Sequence, residues 1–269
     1  MHADRTKAKN YFLEYASHYN AADPKIKLKI DHTLRVAGLA AKIMQSASSD
    51  PADADIGYLM GILHDVGRFE QVRRYHTFID AQSVNHAALS EEILFQNGEI
   101  GNYMDPGPLM PDENGRLAAV PGSDEEAVRK AVLYHNVYQL PANLTEREYL
   151  FATVLRDADK IDILRVNRTT PMTEIYDVSE EELRGSAISD EVYADAMAQR
   201  NVNRDHNHTP ADHLVGHICL IYGLVYPVSR QLTLKQGYLQ QMIAFESTNT
   251  ETAARLSDIG QQAMAFLQG

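Results

Sequence analysis

The stretch Gly61-Ile62-Leu63-His64-Asp65-Val66-Gly67-Arg68 sets a histidine and an aspartate side by side at the end of an apolar run. Adjacent imidazole and carboxylate groups at a helix end can both turn towards one metal ion. Nitrogen and oxygen ligands of this kind suit iron, manganese, zinc or cobalt. Such dipeptides also occur by chance at solvated helix ends, so the surroundings decide. Asp31-His32 lies in KLKIDHTLRVAGLAAKIM, where His32, Val36, Leu39 and Ile43 share one face at helical spacing. A histidine on an apolar face needs a partner, because burying an unpaired polar group is costly. Asn85-His86 opens another such segment, and Val128, Val132 and His135 share a face further on. Leu155, Asp159 and Ile163 do the same in the run containing Ala158-Asp159-Lys160-Ile161-Asp162. One inward histidine is usually a satisfied core residue. Several, each from a separate helical segment, are harder to explain that way.

These residues need helices to position them. Periodicity predicts a short helix over 5–18 and a second from Asp23-Pro24 to about Gln45, since proline suits a first turn. A loop at 48–51 leads to a helix over 53–66, ended by Gly67. Residues 68–82 lack periodicity and are expected to form a loop at the mouth of the site, with His76 a surface residue or a substrate contact. The window 97–122 holds five of the 15 glycines and four of the 10 prolines, which excludes a continuous helix. Its Asn114-Gly115 pair is a hairpin-turn signal. Ser123 restarts the helical pattern as a cap, Pro141 stops it, and Thr145 starts the long helix of Asp159. Helical segments follow at about 179–184, 189–200, 210–226, 230–244 and 249–267. His206, His208, His213 and His217 cluster here, but Leu214 follows His213 where an H-E-x-x-H site needs glutamate. They are expected to be a polar loop and helix start beside the mouth of the site, with substrate contact by one of them the remaining alternative.

A net charge of −12 disfavours a nucleic-acid polymer as partner, since phosphate backbones select basic surfaces. It is compatible with a small phosphate ester held by metal ions, which supply local positive charge. The single cysteine, Cys219, excludes an internal disulfide and a thiolate cluster. The polar start MHADRTKAKN is unlike a signal peptide, and no run of 18 apolar residues occurs. A cytoplasmic protein without a membrane span is the default expectation.

The order His32, His64-Asp65, Asp159 resembles the HD-domain metal-dependent phosphohydrolase superfamily, over residues 25 to 167. The added His86 and His135 resemble its two-metal branch, and HDVGRFEQVRRYHTFIDAQSVNHAALS is similar to a bacterial subgroup of HD domain proteins. The Gly-Tyr-Pro signature of the cyclic-dinucleotide phosphodiesterases in that branch is absent. The resemblance implies an all-α HD-domain helical bundle, and the chain adds C-terminal helices over about 170–269 packed on it and a small β-hairpin insertion, as one domain over 1–269. It implies two divalent metal ions (Fe, Mn, Co, Ni or Zn). Asp65 would bridge them. His32, His64 and Asp159 would complete one site, and His86 and His135 the other, with Asp157 and Asp162 weaker claimants to the place of Asp159. A hydroxide between the ions would attack phosphorus in a nucleotide or other small phosphate ester. Arg68, where the family often has lysine, is the expected phosphate clamp, unless it merely pairs with Glu70. Lys160 is the weaker one, and Arg73 and Arg74 extend the patch or are solvated. Two alternatives share the fold: a di-iron oxygenase and a non-catalytic nucleotide-binding regulator.

Overall fold

Side-chain caps open several of the helices. A computed structural model describes residues 1–105, 109–111, 117–171 and 178–269. Asp4 accepts from the amides of Thr6 and Lys7 and starts α1 (Arg5–Ser17). Asp23 caps α2 (Pro24–Ala47), whose first residue is the proline. Then come α3 (Asp53–Leu63), α4 (Val66–Tyr75) and α5 (His86–Glu91). Asn85 caps α5, which runs on into a π turn, Glu92–Gln96. α6 (Ile100–Tyr103) precedes two short antiparallel strands, β1 (Leu109–Pro111) and β2 (Leu117–Ala119). These strands fit the expected hairpin; its Asn114-Gly115 turn lies outside the described residues. Ser123 caps α7 (Asp124–Tyr134), and α8 (Glu146–Thr169) follows. The backbone forms two compact units, Met1–Asp159 and Lys160–Gly269, with the boundary inside α8.

In the first unit, two close approaches set the geometry. Gly57 and Gly61 lie one turn apart on α3. A Cβ on Gly61 would lie 2.4 Å from Ala37 Cα, and one on Gly57 would lie 2.9 Å from the Ala40 carbonyl oxygen. α2 and α3 therefore meet backbone to backbone and antiparallel, which sets His32 opposite His64. Gly67 makes the second approach. A Cβ there would lie 2.6 Å from both the His86 carbonyl oxygen and the Ser90 amide. Ser90 Oγ accepts from the Gly67 amide at 2.8 Å and donates to the His64 carbonyl at 2.9 Å. This seam holds α4 on α5 and brings His86 to Asp65.

A strut lies at the helix starts. Arg147, in the first turn of α8, donates to both oxygens of Asp53 at 2.5 and 2.6 Å and to Asp124 at 2.8 Å. Asp53 and Asp124 are the first residues of α3 and α7. A carboxylate is favourable at a helix N-terminus because the exposed amides there carry partial positive charge. Arg147 joins two such carboxylates and so ties together the helices that deliver His64, His135 and Asp159.

The second unit contains the rest of α8, then α9 (Glu180–Gly185), α10 (Asp190–Met197), α11 (Pro210–Ile218), α12 (Pro227–Gln236), α13 (Tyr238–Ile243) and α14 (Thr250–Gln268). Cys219 is buried in it. No helix among the described residues is long and apolar enough to cross a membrane.

Three expectations are corrected. Gly67 does not end a helix. The break falls at Asp65, with φ −109° and ψ 16°, and Gly67 lies inside α4, where only a residue without Cβ fits against α5. Residues 68–75 are accordingly helix rather than loop, because Phe69 and Val72 are buried on one face of α4. α7 ends at Tyr134, well before Pro141.

Candidate metal centre

Six side chains converge in the unit Met1–Asp159. His32 comes from the middle of α2, and His64 follows the last residue of α3. Asp65 sits in the break before α4, and His86 opens α5. His135 follows α7, and Asp159 lies midway along α8. All are buried except the half-buried Asp159. They form two groups, His32 with His64 and Asp159, and Asp65 with His86 and His135. Within each group the ligand atoms lie within 4.8 Å of one another.

In the first group, His32 Nε2 is 3.3 Å from His64 Nε2 and 3.1 Å from Asp159 Oδ1, with His64 Nε2 3.8 Å from that oxygen. In the second, His86 Nε2 is 3.0 Å from His135 Nε2. Asp65 reaches both groups. Its Oδ2 lies 3.4 Å from His64 Nε2 and 3.6 Å from His32 Nε2. Its Oδ1 lies 3.6 Å from His86 Nε2 and 3.8 Å from His135 Nε2. One carboxylate oxygen thus serves each histidine pair. Two atoms bonded to one ion at about 2.1 Å stand roughly 3.0 Å apart at a right angle and roughly 3.4 Å apart at the tetrahedral angle. The nitrogen spacings fall in that interval, so the residues fit divalent ions.

Proton placement gives the same answer. His64 Nδ1 is 2.8 Å from the Gly61 carbonyl, and His135 Nδ1 is 2.7 Å from the Val132 carbonyl. A carbonyl only accepts, so Nδ1 carries the hydrogen and Nε2 of the neutral ring keeps a bare lone pair. His86 Nδ1 is 2.7 Å from Asp80 Oδ2 and donates there, which leaves its Nε2 bare too. His86 and His135 therefore face each other with two lone pairs and no hydrogen between. That arrangement is repulsive unless a cation is shared.

The surroundings keep these groups in ligand form. Burial pushes His135 down to about 3, with the neighbouring His86 and His64 adding to the effect. Burial also lowers His86, helped by the Arg68 charge and opposed by the hydrogen bond to Asp80. Burial alone would raise Asp65. The Lys29 ammonium, His64 and Arg68 outweigh it and hold the carboxyl well below its usual range. Asp159 is likewise lowered against burial, by its hydrogen bond with His32 and by the neighbouring histidines, His64 first. Imidazoles that resist protonation and carboxyls that resist neutralisation are what a metal requires.

Two residues in contact with this centre went unrecognised in the sequence. Lys29 Nζ lies 2.6 Å from Asp65 Oδ2. The signal was present: Lys29 is three residues before His32, hence on the same face of α2. Asp80 holds His86, and it lies between α4 and α5, where no periodicity marks it. Arg68 does not pair with Glu70, which Arg73 and Arg74 engage instead. Arg68 Nη1 donates to the Phe78 carbonyl at 2.5 Å, to Gln71 at 2.8 Å and to Asp80 at 3.0 Å. Its Nε is buried without a hydrogen bond among the described residues, 3.6 Å from Asp65 Oδ1.

The other residues singled out lie elsewhere. His76 is exposed in the left-handed region, φ 59°, and its carbonyl accepts from Lys25. Lys160 donates to the Gly223 carbonyl at 2.7 Å. Asp157 and Asp162 are buried outside the two ligand groups. In the second unit, His206 Nδ1 bonds Asp195 at 2.8 Å, and His208 and His213 are exposed. Burial, with the charge of His213, lowers His217 to about 4. Among the described residues these four histidines form no ligand group.

A family model for the HD domain matches residues 30–192, a span that contains all six converging residues. No curated protein and no solved structure matches the chain.

Proposed function

Because the chain belongs to the HD domain family, a superfamily of metal-dependent phosphohydrolases, we propose that it cleaves a small phosphate ester at two divalent ions. His32, His64 and Asp159 would hold one ion, and His86 and His135 the other, with Asp65 placed beside both histidine pairs. The observation that carries this is the 3.0 Å approach of two hydrogen-free nitrogens, His86 Nε2 and His135 Nε2, beside a carboxylate divided between both histidine pairs. When bound, the two ions would supply Lewis acidity, which makes a water acidic enough to attack and polarises the phosphoryl oxygens.

The chain's own residues supply the rest. The carbonyls of Gly61 and Val132 keep His64 and His135 turned inward in one tautomer. Lys29 and Arg68 keep Asp65 ionised and put positive charge where phosphoryl charge develops. Arg68 Nε, with no hydrogen-bond partner among the described residues, supports its role as the phosphate clamp. Lys160 is the weaker contact, since its amine is engaged by Gly223. The substrate would be a nucleotide or another small phosphate ester, and the ions Fe, Mn, Co, Ni or Zn.

The test is metal analysis of the purified protein, followed by a phosphate-release screen over nucleotides and sugar phosphates with each metal. Two ions per chain and metal-dependent phosphate release are expected. Iron-dependent oxygen consumption without phosphate release would replace hydrolysis by the oxygenase alternative. A chain that binds no divalent metal would end the proposal.

A further inference from the structure

The histidines of the centre are oriented by two different means. His64 and His135 each follow the last residue of a helix, where the carbonyl three residues back has no amide partner of its own along the helix. Each ring donates to such a carbonyl, Gly61 for one and Val132 for the other. His86 is the first residue of α5. No helical turn precedes it, so no carbonyl of that kind is within reach. A carboxylate from the connection between α4 and α5 takes its place. Asp80 lies 2.7 Å from His86 Nδ1 through Oδ2 and 2.9 Å through Oδ1.

Asp80 is itself held from three sides. Arg68 Nη1 donates to it at 3.0 Å, Gln71 Nε2 at 2.9 Å and Asn136 Nδ2 at 3.3 Å. Gln71 further donates to Ser83 Oγ at 2.8 Å and to the Val84 carbonyl at 2.9 Å, and so pins the same connection. Such a framework fixes one side chain in one orientation. A carboxylate behind a metal-binding imidazole fixes its tautomer and makes it a stronger donor, and losing such a partner typically weakens metal binding 10- to 100-fold.

We propose that Asp80 is the positioning residue for the ion held by Asp65, His86 and His135, and that through it the connection between α4 and α5 controls occupancy of that ion alone. This rests on the two-ion assignment above. The two ions are then unequal. Asp80 holds a ligand of the other group, His86, so the ion at His32, His64 and Asp159 stays when the connection is disturbed.

The experiment titrates Mn²⁺ into metal-free wild type, Asp80→Ala, Asp80→Asn and Asp80→Glu. It counts bound ions per chain and follows spin coupling between them by EPR. Wild type should bind two coupled ions. Asp80→Ala should bind one with wild-type affinity and the other 10- to 100-fold more weakly, with the spectrum of an isolated ion. Asp80→Asn still accepts the Nδ1 hydrogen but carries no charge, and should fall between. Asp80→Glu should recover part of the second affinity. A readout without metal is the ¹⁵N spectrum of histidine-labelled protein, in which Asp80→Ala should release one histidine from the Nδ1–H form. Two ions bound at wild-type affinity by Asp80→Ala, or equal weakening of both, would overturn the assignment of Asp80. A wild type that binds a single ion would instead overturn the two-ion assignment, and this proposal with it. Asp80→Asn, nearly isosteric, decides the matter if Asp80→Ala fails to fold.

Discussion

The chain has two histidine-rich regions, and among the described residues only the first brings its rings together into ligand groups. In the first unit, His64, His86 and His135 spend Nδ1 on a carbonyl or carboxylate and point bare Nε2 atoms at one another. In the second, acceptors are filled by donors of the chain. Asp195 takes His206 Nδ1 at 2.8 Å and Arg200 at 3.0 Å. Asp212 takes the amide and hydroxyl of Ser189, at 2.7 and 2.6 Å, and the amides of His208 and Thr209, both at 3.0 Å. The second cluster is denser in sequence, yet it forms no ligand group among the described residues. What marks a metal site is the number of lone pairs left facing each other, and local histidine density says little about that.

The largest expected effect tests the first region at its centre. Asp65→Ala should lower phosphate release by at least about 10³-fold and reduce metal content, because it removes the carboxylate that serves both histidine pairs. Full activity would erase the contrast between the two regions. Arg68→Ala is expected to cost on the order of 10²–10³-fold in turnover. Metal content then sharpens the picture. Two retained ions mean that Arg68 acts on the phosphoryl group directly, whereas loss of one ion means that it acts by holding Asp80.

The second region should respond in stability alone. Asp212→Ala strands several part-buried donors and should destabilise the protein by about 3 kcal/mol, measured by urea unfolding, with metal content and turnover unchanged. Loss of bound metal in that variant would contradict a purely structural carboxylate. The smallest effect is at the Arg147 strut. Hydrogen bonds from Arg147 hold the Asp53 carboxyl below its ordinary value of 3.8, against burial. A depressed carboxyl adds stability that is fully present above the unfolded value and is lost as pH falls through the folded one. Arg147→Met should cost about 2 kcal/mol at pH 7 and flatten the loss of stability below about pH 4. An unchanged acid limb would show that Asp53 gains nothing from Arg147.

The helices and the ligand order were legible because 3.6-residue spacing reports burial directly. His32, His135 and Asp159 each sat among apolar residues of one face. Gly67 reads as a helix end because a glycine that permits close packing looks the same in sequence as one that ends a helix. Only the approach of His86 and Ser90 tells them apart. Lys29 was hidden in a row with Lys25 and Lys27 that resembles a solvated face. Asp80 could not be found by period, since its partners Arg68, Gln71, His86 and Asn136 meet only in three dimensions.

Arg147 also acts as a common datum for measuring length. His64 follows Asp53 by eleven residues, His135 follows Asp124 by eleven, and Asp159 follows Arg147 by twelve. At about 1.5 Å of rise per residue, three helices leaving one anchor deliver their ligands roughly 17 Å away, at one level. The centre is therefore gauged by helix length more than by the identity of the residues between. Residues along α7 and α8 can vary so long as they pack, and so can those of α3 other than Gly57 and Gly61. A single residue inserted into α7 would advance His135 by about 1.5 Å and turn it by roughly 100°, carrying it out of reach of His86 with every ligand still in the sequence.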